Sequence, residues 1–352
     1  MINNIQSCNN LLKMKKMKFF KTIVLFSFLA SIIFLQSCNS KPSEKTSSAG
    51  KTSEMLVVMN DVHWKSEIGE SIKSFFRQEV EGLSTEEPCY DVVQMSKNSF
   101  NKLFQKHRNI FIVEIENTKS EPSLEIRKDV WSQPQIVIKL VAPDKESFLL
   151  AFDARKNQFL ELFDEAERRR IIKAFKQDEN FKIRTTLKNS MNLSLVVPNG
   201  FYIGKQKENF IWLRKITRDY NHEIMIYSYP YTDTIAFNPQ QIINDRNEIT
   251  MNNIPGHSDS SYMAVSDIFP STSKILELNG NYAVETRGLW IVKKDFMGGP
   301  FISYTVLDKK ANRVITVDGS VYYPNNKKRD FMRQLESIFY TLNFPVDTIL
   351  HK

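Results

Sequence analysis

Apolar and polar positions follow two different rhythms along this chain. From residue 55 to about residue 176, short apolar runs take turns with segments of helical spacing. Residues 55–59 (MLVVM), 91–95, 110–115 (IFIVEI) and 135–141 (QIVIKLV) are apolar enough to be buried strands. Between the first two, Ile68, Ile72, Phe75, Phe76 and Val80 recur every three or four positions, which predicts a helix over 64–80. Residues 96–105 open on a serine that can cap a helix and carry Phe100, Leu103 and Phe104 on one side. Residues 145–176 read as one long amphipathic helix or a helix pair.

Near Lys182 the rhythm changes. Strand patterns follow quickly at 192–197, 210–217, 223–229, 274–278, 283–292, 302–307 and 314–322. Turn signals separate them, among them Pro198-Asn199-Gly200, Asn279-Gly280-Asn281 and residues 308–312. Helical patterns interrupt at 239–250 and 327–342, the last with a stripe of Phe331, Met332, Leu335, Ile338, Phe339 and Leu342. The expected class is α+β, of mixed α/β character. A strand–helix alternating domain (54–184) precedes an antiparallel sheet packed by helices (185–345), with a break near 177–190 and a tail at 346–352.

One apolar run fits neither rhythm. Residues 22–35 (TIVLFSFLASIIFL) follow five lysines and no acid, and they stop short of the roughly 20 apolar residues that span a bilayer. A basic start, a short apolar stretch and a small residue before the cut make a secretory signal over residues 1–37. Residues 1–13 add nothing such a signal needs, so Met14 or Met17 would serve as its start. Leu35-Gln36-Ser37-Cys38 resembles the lipobox of bacterial lipoprotein precursors. The resemblance implies cleavage between Ser37 and Cys38, diacylglycerol on the Cys38 thiol and palmitate or a similar acyl group on the new amino group. Two or three acyl chains hold far more firmly than one, since each buried methylene contributes about 0.8 kcal/mol. Asn39 is not the aspartate that resembles an inner-membrane retention signal, which leaves the periplasmic leaflet of the outer membrane as the expected site and surface display as the alternative. Residues 38–53 lack a large apolar side chain between Asn39 and Ser53 and read as a flexible tether.

The signal also changes the charge. It holds five of the 48 lysines and arginines and none of the 40 acids, so the chain beyond it has 43 against 40, a net +3 in place of +8. That balance gives little support to nucleic-acid binding. Cys8 and Cys38 belong to the precursor, which leaves Cys89 alone after processing and stability to packed cores.

Candidate chemistry is sparse. Asp61 and His63, with Trp64 beside them, come after the first strand, where α/β proteins often place functional groups; a metal-ligand or acid–base pair competes there with a capping turn. A third ligand would be needed, and no HxxxH or HxxE spacing supplies one. His257-Ser258-Asp259-Ser260-Ser261 holds the residue types of a hydrolase triad, but neighbours in a polar loop cannot adopt its geometry. Arg168-Arg169-Arg170 fits either anionic headgroups or a solvated helical face balanced by Glu165 and Glu167. Met297-Gly298-Gly299-Pro300 reads as a ligand-approach loop or a tight strand connection. Lys327-Lys328-Arg329 places cations where a helix start favours anions, a hint of an anionic partner.

Residues 299–304 (GPFISY), 313–324 (RVITVDGSVYYP) and 327–336 (KKRDFMRQLE), together with Trp64, Gly69, Glu87-Pro88, Arg108-Asn109-Ile110 and Trp131, resemble a family of uncharacterised lipoproteins of Bacteroidota, a domain of unknown function. The resemblance covers nearly all of the chain after the signal and implies no activity, cofactor or catalytic residue. Val197-Pro198-Asn199-Gly200-Phe201, the strand with Phe210-Ile211-Trp212 and the strand with Tyr227 look like the opening of PsbP/Mog1-like sandwiches, which implies a partner-binding module. The expectation is a membrane-anchored envelope lipoprotein without enzymatic activity, metal or cofactor, which binds protein partners in envelope assembly or maintenance. The alternative is a ligand-binding module with a cleft between the two regions, lined by Trp212, Tyr227 or Trp290. A hydrolase assembled from distant residues is the third reading.

Overall fold

The computed structural model describes residues 45–256, 258 and 260–345. The signal, Ser37, Cys38, the tail from 346, and His257 and Asp259 of the polar loop lie outside the described residues. Strands β1 (Glu54–Val58), β2 (Asp91–Met95), β3 (Asn109–Ile115), β4 (Ser123–Lys128) and β5 (Ile136–Ala142) form one sheet in the order β2-β1-β3-β5-β4. All neighbours are parallel except the edge strand β4, which runs against β5. Both faces of the central strands are covered, which is why they read as unbroken apolar runs. Met55, Val57, Phe111 and Ile138 meet the helices on one face; Leu56, Val58, Ile110 and Val137 meet Phe100 and Trp131 on the other. β4 has its side chains mostly in solvent and left no such run to find.

The helical patterns break where side chains compete for the backbone. The expected helix over 64–80 is two, α1 (Asp61–Trp64) and α2 (Glu67–Phe76), because the Ser66 hydroxyl caps a new start. Gly69 allows this tight corner: a Cβ there would stand 2.0 Å from the Trp64 carbonyl oxygen. Residues 96–105 form no α-helix but two short 3-10 turns, since the Asn101 side chain accepts from Leu103 N–H and Ser96 bonds Ser99. Residues 145–177 are the helix pair α3 (Lys145–Asp153) and α4 (Lys156–Gln177). Part of the expected tether is fastened: Ser48 N–H donates to the Gln133 carbonyl and Ala49 N–H to that of Lys106.

Residues 177–190, read as a break, mostly form α5 (Phe181–Met191), started by the Asn180 side chain and ended by Asn192 at φ 47°. The second sheet then contains β6 (Tyr202–Lys207), β7 (Phe210–Ile216), β8 (Asn221–Pro230), β9 (Tyr262–Val265), β10 (Thr272–Leu278), β11 (Asn281–Lys293), β12 (Gly298–Asp308) and β13 (Arg313–Tyr322). Its order is β10-β11-β12-β13-β8-β7-β6, antiparallel throughout, with β9 on the far half of β11. Helix α5 and the last helix, α7 (Arg329–Phe339), cover one face; α6 (Pro239–Asn253) lies against the other. Residues 192–197 bury Leu193, Leu195 and Val197 as a strand would, yet Ser194 pairs with Asn343 and not with the sheet. The architecture is α+β, as the pattern predicted.

The last helix joins the two sheets through ions. Glu87, in the loop before β2, accepts the N–H groups of Lys328 (2.6 Å) and Arg329 (3.0 Å), and so adds from 241 residues away an anion at the helix start that Lys327-Lys328-Arg329 opens. Arg333 reaches Asp164 on α4 at 2.8 Å, and Glu336 accepts from Arg168 (3.0 Å) and Arg287 (3.1 Å). The arginine triplet therefore splits. Arg168 lies 3.5 Å from the ring centre of Tyr340, Arg170 is buried against Glu167 and Asn109, and Arg169 alone keeps its exposed pairing with Glu165. On the other face a fully buried pair pins α6 to β13: Arg246 bonds Asp318 at 2.8 and 3.2 Å and lies over Phe301.

Burial alone would raise the pKa of Glu336, but Arg287, Arg168 and Arg333 outweigh it and hold the carboxyl at about 2 instead of 4.5. A folded value below the unfolded one stabilises the protein fully above about pH 4.5, and that contribution disappears as pH falls towards 2. Glu336→Gln is expected to lower the unfolding free energy at neutral pH by about 3 kcal/mol. Urea titrations should show the gap to the wild type closing towards about pH 2; a gap independent of pH would exclude charge as its cause. Asp318→Asn leaves Arg246 buried without its counter-charge and should lose about 3–5 kcal/mol. Arg246→Met together with Asp318→Val should recover most of it, which a double-mutant cycle measures.

Candidate functional site

Three hollows hold the candidate residues, and each is made by a different part of the fold. The first opens at the carboxyl ends of β1 and β3. β1 leads through α2 to β2 on one side, while β3 lies on its other side, so the connections diverge here and leave a crevice. Asp61 and His63 line this crevice of about 380 Å³ together with Lys97, Glu114 and Glu116. Asn60 caps α1, and Asp61 accepts from the Gln94 side chain at 2.8 Å. Glu114 is held by both Lys97 and Lys139, whose charges keep its carboxyl below the usual range against the opposing effect of burial. Trp64 turns away to pack on the first core, with Lys73 over its ring at 4.9 Å. No group of three histidine, cysteine or acidic side chains able to hold a metal ion occurs among the described residues.

The second hollow, about 850 Å³, runs between the two sheets beside α4 and α7. Arg168, Arg287, Arg333 and Glu336 form its floor, and their charges answer one another. Cys89 lines it too, with its thiol raised by burial. Trp212, Tyr227 and Trp290 do not line this cleft.

They belong to the outer face of the second sheet, where the register assembles the third hollow. Arg214 on β7 stands opposite Glu223 on β8, which stands opposite Ser320 on β13. One step along, Trp212, Met225 and Asp318 form the next row, and Phe210, Tyr227 and Thr316 the one after. Over the first of these rows lies a cavity of about 300 Å³, walled by Trp212 and Trp290 and roofed by Ile254, Met263 and Met297. Tyr227 is fully buried in the same core, below the cavity, and its phenol is pushed up by burial and by nearby Asp318.

Trp290 fits here because its neighbour across the ladder is Gly299: a Cβ on that residue would stand 2.0 Å from the Val321 carbonyl oxygen and 3.2 Å from the indole nitrogen. The paired glycines are thus neither a ligand loop nor a turn. They lie inside β12 and make room for a ring. The polar corner of the cavity is one ion pair. Arg214 donates from Nε (3.0 Å) and Nη2 (2.9 Å) to the same Glu223 oxygen, and its guanidinium lies 4.1 Å from the Trp212 ring centre. Burial raises the Glu223 carboxyl against the pull of Arg214.

Arg214, Glu223 and Met263 were not singled out in the sequence, and Met297 was noted only as part of the Met297-Gly298-Gly299-Pro300 stretch. Two-residue alternation could have found the first pair, since Arg214 continues the side of Phe210 and Trp212, and Glu223 that of Met225 and Tyr227. No local signal marks the methionines, which arrive from β9 and from the turn before β12. Of the remaining candidates, Ser261 bonds back to the Ser258 carbonyl at 2.6 Å as in a turn. His222 is buried between Phe201 and Phe331, where burial and Lys215 push it down to about 3. No helix among the described residues is long and apolar enough to cross a membrane.

Comparison with solved structures finds the Ran-binding protein Mog1p of Saccharomyces cerevisiae, 11% identical, with a TM-score of 0.30 over 44% of this chain and 90% of that one. A structure from Bacteroides thetaiotaomicron VPI-5482 is 10% identical, with a TM-score of 0.21 over 44% of this chain and 46% of the other. Comparison with curated proteins finds no match. Against family models, residues 48–176 match a domain of unknown function (DUF8532) and residues 180–341 match another (DUF4837), so the chain is similar, sheet by sheet, to two domains of unknown function.

Proposed function

We propose that this chain is a lipid-anchored protein of the bacterial cell envelope that works by binding, and that its binding site is the cavity between Trp212 and Trp290. The anchor rests on the sequence: a basic start, a short apolar run and Leu35-Gln36-Ser37-Cys38, in the manner of the Bacteroidota lipoproteins it resembles. The leaflet proposed is the periplasmic side of the outer membrane. One observation carries the binding reading. A hollow of about 300 Å³ with aromatic walls and a single polar corner has the make-up of a small-molecule site. Its charged side chains, Arg214 and Glu223, are bonded to each other. The crevice at Asp61 and His63 is more polar, and the cleft between the sheets is floored by mutually neutralising ions.

A second reading has its own observation. Ile268 and Phe269, in the loop between β9 and β10, are 81% and 55% exposed, an apolar surface of the kind that protein partners cover. On this reading the anchored chain also holds an envelope protein, in assembly or maintenance of the envelope.

Two measurements test these proposals. In cells fed labelled palmitate, the full-length protein should take up label and Cys38→Ala should take up none. Label that persists in Cys38→Ala, or is missing from the wild type, sinks the anchor. For the partner, cross-linking in intact cells should yield one envelope protein in near-stoichiometric amount, lost when Ile268→Asn and Phe269→Ser are combined. A product that survives both substitutions rules out that loop.

A further inference from the structure

We infer that the Trp212–Trp290 cavity takes a single medium-length acyl chain whose oxygen-bearing head meets Arg214. The inference rests on the binding reading above and names its ligand class. Size sets the first limit: about 300 Å³ is the lower end of the range of small-molecule sites, roughly 300–1,000 Å³. One chain or one ring system fits and a two-tailed lipid does not.

The walls choose between chain and ring. A flat aromatic ligand needs free indole faces on which to stack. Here one Trp212 face is taken by the Arg214 guanidinium, and the Trp290 indole nitrogen sits close over Gly299 with Tyr322 beside the ring at 6.4 Å between centres. Beside the two indoles, much of the lining is the aliphatic and thioether surface of Ile254, Met263, Val292 and Met297. Methionine adapts its shape to a flexible chain better than to a fixed plane.

The polar corner then fixes the head. Arg214 bonds Glu223 through Nε and Nη2, which leaves Nη1 outside that pair on a residue that lines the cavity. A carboxylate or similar oxygen acceptor beside it would complete the guanidinium fork. An entrance of matching character exists. Ile216, which lines the cavity, is half exposed, and Phe296, next to Met297 in the turn before β12, is fully exposed. An amphiphile would meet apolar surface before it meets the cavity.

The test is calorimetric titration of the full chain carrying Cys38→Ala, purified without detergent, with decanoate, decanol and indole as separate probes. Decanoate should bind once per chain. Met297→Trp, which fills the roof from a partly exposed position, should remove that binding while the melting temperature is kept. Arg214→Gln should weaken decanoate about tenfold and leave decanol almost unchanged, the share expected of one charge-assisted bond. Indole binding without decanoate or decanol keeps the cavity as a binding site and overturns the acyl chain. Decanoate binding that survives Met297→Trp places the chain elsewhere and overturns the inference. If none of the three probes binds, the site itself falls.

Discussion

The buried ion pairs that fix one sheet against the other meet on the last helix. An amphipathic helix with Met332, Leu335, Ile338 and Phe339 on one side satisfies a single sheet face. Its other side would ordinarily be solvated. Here that side carries Arg329, Arg333 and Glu336, and each finds a counter-charge or carbonyl on the first half of the chain. Such pairs add little net stability, because desolvation offsets most of the attraction. What they provide is geometry. A carboxylate with two guanidinium partners has few acceptable placements, whereas an apolar contact tolerates sliding. The parallel sheet, the antiparallel sheet and the cleft between them keep their arrangement on this account. On the floor of the cleft, Arg168 and Arg287 are paired with Glu336 and Arg333 with Asp164.

The cavity has the opposite logic. Its floor is an antiparallel ladder, whose side-chain period of two puts Arg214, Glu223 and Ser320 in one row and Trp212, Met225 and Asp318 in the next. A roof requires a helix held at a distance from that floor, and Arg246 on Asp318 holds α6 there from beneath. The hollow stays open because its walls are the rigid rings of Trp212 and Trp290 while its roof comes from the ends of elements: the exit of α6, the start of β9 and the turn before β12. Rigid floor and adaptable cover are the usual requirements of a site that admits a ligand.

Legibility tracked the range of the forces involved. Buried parallel strands, helix stripes and the antiparallel succession were readable, since each is a short-range pattern of apolar spacing. The α-helix expected over 96–105 failed because Asn101 and Ser96 offered the backbone closer partners, and β4 was missed because an exposed edge strand has no apolar run. Residues 192–197 alternate correctly but pair with Asn343 outside the sheet. Pattern reports which side of a segment is buried and not what covers it.

The same division separates what each level decided about the protein as a whole. Amino-acid order alone determined the α+β class, the change of rhythm near Lys182 and the aromatic positions Trp212, Tyr227 and Trp290. These depend on composition and spacing within a few residues. Tertiary structure alone decided that Trp212 and Trp290 share a cavity while Tyr227 lies under it, that three consecutive arginines have three fates, and that Glu87 caps a helix 241 residues later. Each of these joins groups far apart in the chain through burial and charge. Their energies exist only once folding has removed the water between them.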